Sequence, residues 1–225
     1  MAATQESATS SASDFYDAVE EVLACILANS PIYKHLFGPA EASCLQLVRG
    51  PEGSSGPSIP GDLTFKFVSP KSEEGGEGEA AEGDTLQSHH LNSHKILHGS
   101  VSCTLVDLIS GVCIASLGTT NASFNAPPPT LPSLPPTTSS SPLTQPVYPP
   151  RASILSAPRG LSTDMSVQFT SSAKMGEEVW VRTWVKKKGR HLVWVGVQVW
   201  ARAAGQGERG EAKLVVEGSH TKYIK

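Results

Sequence analysis

Asp107 is the residue that its surroundings in the sequence do least to explain. It sits in His98–Gly118, HGSVSCTLVDLISGVCIASLG, where Val101, Leu105, Val106, Leu108, Ile109, Val112, Ile114 and Leu117 point to every side of a 3.6-residue helix. A helix that is apolar all round is a buried helix. A lone carboxylate inside one is costly unless it is paired or its pKa shifts. Two readings stay open: a carboxylate put to chemical use, or a helix-surface Asp facing water. His98-Gly99 opens the same helix. Glycine lets a ligand approach the backbone closely, and the first N–H groups of a helix are unpaired. That suits a carbonyl oxygen that gains negative charge. Asn92 lies six residues earlier, in a loop able to fold back over the same spot. At 1.5 Å per residue, His98 and Asp107 stand about 13 Å apart. One chain cannot bring both to one reacting carbon. Two such helices side by side and antiparallel would do so, and twofold symmetry would give two equal sites.

The elements that must position these residues follow from hydrophobic periodicity. Phe15, Val19, Val22, Leu23, Ile26 and Leu27 form one stripe of a helix over about 14–29, capped by Ser13 or Asp14 and ended by Asn29-Ser30-Pro31. Tyr33, Leu36 and Phe37 continue it as a hydrophobic foot. Strand-like runs follow at Cys44–Val48 and Leu63–Val68. After the central helix, Ser162–Thr170, Glu178–Lys187, His191–Arg202 and Ala212–Ile224 alternate with β-branched or aromatic residues, and Lys188-Gly189-Arg190 reads as a hairpin turn. The natural packing is α+β: an antiparallel sheet of about six strands wrapped around one long central helix, with an N-terminal helix.

Three stretches fall outside that plan. Residues 1–12 read as a disordered tail. Residues 70–88 hold six acidic residues among Gly and Ser, and read as a solvated, mobile loop. Residues 119–158 hold eleven of the seventeen prolines and are expected to stay extended and irregular. The reading is therefore one domain over 13–225, interrupted by these two inserts.

Composition narrows the function classes. A net charge of −3 argues against nucleic acid as the main partner. The four cysteines have no CxxC spacing and read as reduced thiols. The longest apolar run carries Asp107 and three hydroxyl residues, so no membrane span is expected. The acidic, Ser/Thr-rich start has no Arg or Lys before Lys34, a poor secretory or mitochondrial presequence. His90, His94 and His98 recur every four residues with His89 adjacent, a spacing that can bind zinc on a helix. No Cys or Glu stands at ligand spacing, and Asn92 and Lys95 read as loop, so no metal is expected. Trp180, Trp184, Trp194 and Trp200 keep one face in pairs and read as a packed face or subunit interface.

LNSHKILHGSVSCTLVD, GLSTDMSVQFTSSAKMGEEVWV and the terminal EGSHTKYIK together resemble the hotdog-fold acyl-coenzyme A thioesterases. The group they are most similar to is the phenylacetate-degradation-type superfamily, and within it the acyl-coenzyme A thioesterase 13 group. The resemblance covers about 90–118 and 159–225 well, and 13–69 loosely. It implies dimers pairing their sheets edge to edge, or dimers of dimers. It implies that Asn92 and the Gly99 amide polarise the thioester carbonyl, that His98 shapes that pocket, that Asp107 of the partner subunit activates water, and that Ser162 orients that water. Coenzyme A, part of the substrate and the only cofactor-like group expected, would contact Phe169, Thr170, Ser171, Ser172, Ala173 and Lys174, the hairpin Lys187, Lys188, Gly189, Arg190, His191 and Leu192, and His220. The cations of that hairpin suit phosphate. Ser100 stands where relatives commonly have a second glycine.

The expectation is an acyl-coenzyme A hydrolase acting on fatty or aryl thioesters, cytoplasmic, with the mitochondrion as the alternative. Two rivals remain: a hotdog hydratase or dehydratase, and a non-catalytic acyl-coenzyme A-binding protein.

Overall fold

The computed structural model describes residues 11–39, 42–49, 61–68, 86–119, 148–203 and 212–225. Four helices, α1 (Ala12–Asn29), α2 (Pro31–Phe37), α3 (Gly99–Ala115) and α4 (Arg151–Leu155), accompany six strands. These are β1 (Leu45–Leu47), β2 (Leu63–Phe67), β3 (Leu161–Phe169), β4 (Glu177–Lys188), β5 (Leu192–Ala203) and β6 (Lys213–Tyr223). The strands make one sheet in the order β1-β2-β4-β5-β6-β3, every neighbour antiparallel.

The strand pattern that buries one face is the alternation of valines. Val179, Val181 and Val185 of β4 and Val193, Val195, Val197 and Val199 of β5 are all buried. The register sets Val181 opposite Val199 and Val185 opposite Val195, so they form a continuous floor. On that floor lies α3, with Leu105, Val106, Ile109, Val112 and Cys113 fully enclosed. Gly218 of β6 lets the helix down onto the sheet: a Cβ there would stand 2.8 Å from Val106 Cγ2 and 3.1 Å from its Cγ1. The long helix rolled in a sheet is thus the architecture expected from periodicity.

Three boundaries are corrected. The cap of α1 is Ser11, not Ser13 or Asp14. Its hydroxyl accepts from the Asp14 amide at 3.1 Å, and Asp14 reaches back to the Ser11 amide at 3.2 Å. That reciprocal pair satisfies two otherwise orphaned amides and starts the helix two residues early. The Pro-rich insert is not irregular throughout. Tyr148 packs its ring 4.9 Å from that of Phe15, and α4 buries Ile154 completely. Pro149-Pro150 suit the entry to a short helix, and Ile154 anchors it in the core. The acidic stretch ends in Leu86, a core residue, and Ser88 opens a 3-10 turn over Ser88–His90. The rest of the expected tail and inserts, 1–10, 70–85 and 120–147, lies outside the described residues. No helix among the described residues is long and apolar enough to cross a membrane.

Candidate active site

At its N-terminus α3 is capped by a side chain of its own sequence. His98 Nδ1 accepts from the Ser100 amide at 3.1 Å, and Ser100 Oγ lies 2.7 Å from the same nitrogen. An Nδ1 that accepts from an amide carries no proton, so the hydroxyl donates to it as well. Ser100, the departure from the family pattern, therefore fixes the orientation of His98. The Gly99 amide has no acceptor among the described residues, as the first turn of a helix leaves it. Phe169 stands over it, its Cζ 3.4 Å from where a Cβ of Gly99 would be.

Asn92 belongs to a tight turn before this end. Its Oδ1 accepts from the His94 amide at 2.9 Å and weakly from Ile96 at 3.4 Å, while Lys95 takes a positive φ of 56°. The carboxamide oxygen is thus engaged, and Nδ2 donates to nothing among the described residues. The turn is stitched to the segment after β3: Leu97 N donates to Ala173 O at 2.8 Å, and Ile96 bridges Lys174. Asn92, His98, Gly99, Phe169 and Lys174 therefore gather at one end of the sheet. Of the expected coenzyme contacts there, Ala173 is buried, and Thr170 Oγ1 donates to Leu214 O. Thr170 and Ser171 also give their amides to Val215 O, and Phe169 remains 58% exposed.

Asp107 lies two turns along α3 from Gly99, and it is neither lone nor fully exposed. Lys222 Nζ donates to its Oδ1 at 2.7 Å and Ser162 Oγ donates to the same oxygen at 3.2 Å. Tyr33 OH donates to Oδ2 at 2.5 Å. Burial alone would raise this carboxyl, but the hydrogen bonds from Lys222 and Tyr33, with the Lys222 charge, outweigh it and hold it below its ordinary range. The cost of the half-buried carboxylate is thus met by pairing. His220 stands behind it, its Nδ1 3.7 Å from Oδ1 and 2.7 Å from Ser110 Oγ. Burial first, then the Lys222 charge, pushes His220 down to about 4, so it is neutral at pH 7 and adds no ionic partner. His220 was expected to touch coenzyme A; at 1% exposure it supports the carboxylate from inside instead. Ser162 stands beside the same carboxylate.

The hairpin Lys187–Leu192 closes at this second end, where Leu192 pairs Tyr223 and Tyr223 pairs Leu161. Lys187 Nζ lies 5.3 Å over the Trp194 ring, and His191 stacks on Tyr223. The turn is drawn tight by the Gly189 amide on Leu192 O at 2.8 Å. The expected coenzyme residues thus fall into two groups at opposite ends of β3, nine residues and about 26 Å apart.

Tyr33 and Lys222 escaped the sequence reading. Tyr33 reads as apolar foot. Lys222 sits on the parity of Val216 and Gly218, paired with inward Val193, a signal visible only once the register is known. The four histidines do not converge: His89 and His90 both reach Leu36 O, and His98 caps α3. Among the described residues no three His, Cys, Asp or Glu gather in metal-binding geometry.

Comparison with known proteins fits this arrangement. The thioesterase superfamily model matches residues 94–207. The human acyl-coenzyme A thioesterase 13 is 25% identical over 139 residues, 62% of this chain and 68% of its own length. The mouse protein of that name is 24% identical over the same length. Among solved structures, zebrafish thioesterase superfamily member 2 is similar with a TM-score of 0.53 and 20% identity, covering 93% of this chain and 98% of that one. Its mouse counterpart gives 0.50 and 18%, covering 92% and 97%. The sheet rolled on α3 is the hotdog fold they share. By its fold and by a family match over half its length, this chain belongs to the thioesterase superfamily.

Proposed function

We propose that the chain hydrolyses acyl-coenzyme A thioesters, fatty or aryl, to free acid and coenzyme A, at sites built from two copies. One observation carries this reading. Gly99, with a free amide, and Asp107, with a solvent-reaching carboxylate, lie on one rigid helix about 12 Å apart, too far to serve one carbon alone. An antiparallel second copy brings its Asp107 to the first copy's Gly99. The same operation brings the hairpin Lys187–Leu192 of the partner toward Phe169–Lys174, so the divided coenzyme contacts are united as well. Strand β3 has a free edge among the described residues, and Leu161, Met165 and Phe169 are exposed on it. An open edge with exposed apolar side chains suits pairing with a second sheet.

In this reading the thioester carbonyl oxygen accepts from the Gly99 amide and from Asn92 Nδ2, with His98 shaping the pocket. The partner's Asp107 takes a proton from a water held beside Ser162. The water oxygen attacks the carbonyl carbon, and negative charge builds on the oxygen held by the two donors. Collapse breaks the carbon–sulfur bond, and the departing thiolate takes up the proton from Asp107. The cations Lys187, Lys188 and Arg190 are placed for the phosphates of coenzyme A. No further cofactor is required. A dimer, or a dimer of dimers, is the working assembly. A reducing compartment, the cytosol with the mitochondrion as the alternative, is supported by four cysteines free of disulfides.

The test is release of free thiol from a panel of acyl-coenzyme A esters, acetyl to stearoyl and phenylacetyl, with Asp107→Asn alongside. Turnover by the natural sequence should fall about 10²- to 10⁴-fold in the variant. Tight binding with no hydrolysis of any ester, by an intact oligomer, would instead support the non-catalytic binding protein. Water addition to an enoyl thioester would support the hydratase.

A further inference from the structure

The Asp107 carboxylate is held more completely than a general base needs to be. An ionised carboxylate offers about four lone-pair directions. Three are occupied here, two on Oδ1 by Lys222 Nζ and Ser162 Oγ and one on Oδ2 by Tyr33 OH. The Lys222 side chain is only 7% exposed, and its ammonium reaches Asp107 at 2.7 Å and Ser162 at 3.4 Å. A buried ammonium with those partners is fixed in place, unlike a surface lysine on a flexible stem. Its backbone is fixed too. Lys222 pairs with Val193 on one side and Ser162 on the other. Gly160, at φ +78°, passes so close that a Cβ there would meet Lys222 Cβ at 2.8 Å.

We propose that Lys222, with Tyr33 on the opposite oxygen, is a positioning residue for Asp107, leaving one lone pair of Oδ2 as the place where water is bound and deprotonated. This rests on the reading of Asp107 as the base. The groups facing the carboxylate are Tyr33 from α2, Ser162 from β3, His220 and Lys222 from β6, and Ser110 on α3 itself, whose Oγ donates to the Asp107 backbone carbonyl. Asp164 of β3 acts on His220 from a greater distance. His220 is neutral at working pH, so Lys222 supplies the positive charge. A cation beside a carboxylate favours its ionised form, and so does a donated hydrogen bond. Each therefore keeps Asp107 ready to accept a proton down to acid pH, and removing either should raise the pH at which it becomes protonated.

The experiment is the pH dependence of kcat and KM for thiol release, with thermal melting, for Lys222→Met, Lys222→Arg, Tyr33→Phe and Asp107→Asn. In Lys222→Met the acid limb should move up by about one to three pH units. Its kcat should fall roughly 10- to 100-fold with KM little changed, as expected when a catalytic group loses its alignment. Lys222→Arg keeps the charge, so its limb should stay with the natural protein and part of the lost kcat should return. Tyr33→Phe should shift the limb the same way by less, and it decides the matter if Lys222→Met does not fold. A limb that stays in place in both Lys222→Met and Tyr33→Phe, whatever happens to melting temperature, would overturn the proposal. If Asp107→Asn turns over normally, the reading of the base fails instead; if it is dead while Lys222→Met behaves as the natural protein, only the inference about Lys222 fails.

Discussion

His90 and His220 show what burial does to a single side chain here. His90 Nε2 donates to Leu36 O at 2.6 Å and its Nδ1 accepts from the Gln87 amide, so the ring is used twice while neutral. Burial pushes each of the two down to about 4. The sign follows. In the unfolded chain a histidine takes a proton near pH 6.5, whereas in the fold it resists until about 4. Stability from both is fully present above about pH 6.5 and is lost as pH falls toward 4, at up to about 1.4 kcal/mol per pH unit for each residue. Urea unfolding at pH 7 and pH 5 should show the loss, and His90→Gln should flatten it. Equal midpoints at the two pH values would contradict the burial argument. Asp107 adds to the same trend at lower pH, since its own range is depressed.

At the scale of elements, α3 and the four long strands were legible in the sequence because valine alternation and an all-apolar helix leave few alternatives. Each strand lies within one or two residues of its expected range. The short pieces were not. In α4, five residues long, only Ile154 is buried, and proline-rich composition around it hides the pattern. Lys222 and His220 occupy inward positions of β6 that look like a polar face until β5 fixes the register. Glycine marks where helix and sheet touch. Gly218→Ala should push Val106, and α3 with it, off β6 and cost about 1–3 kcal/mol, read as a shift in denaturation midpoint. An unchanged midpoint would mean that Val106 has room to turn aside.

For the whole molecule, the pieces of the proposed site were nameable from sequence, but their distribution was not. Spacing along one helix was enough to show that Gly99 and Asp107 cannot meet within a chain. That the residues proposed for coenzyme contact divide in the same way, Phe169–Lys174 at one end and Lys187–Leu192 at the other, depends on the antiparallel course of β3 and β6. Two half-sites at opposite ends of one sheet make the single chain an incomplete enzyme in this account. The most direct test mixes two disabled variants. Asp107→Asn lacks the base, and Gly99→Val crowds the carbonyl site beside Phe169. In a hybrid dimer, the intact Gly99 of one chain faces the intact Asp107 of the other. Random exchange of equal amounts should make half the dimers hybrids with one good site each, so roughly a quarter of the natural activity should return. A mixture as inactive as its parents, with hybrids demonstrated by native mass spectrometry, would contradict a site shared between two copies.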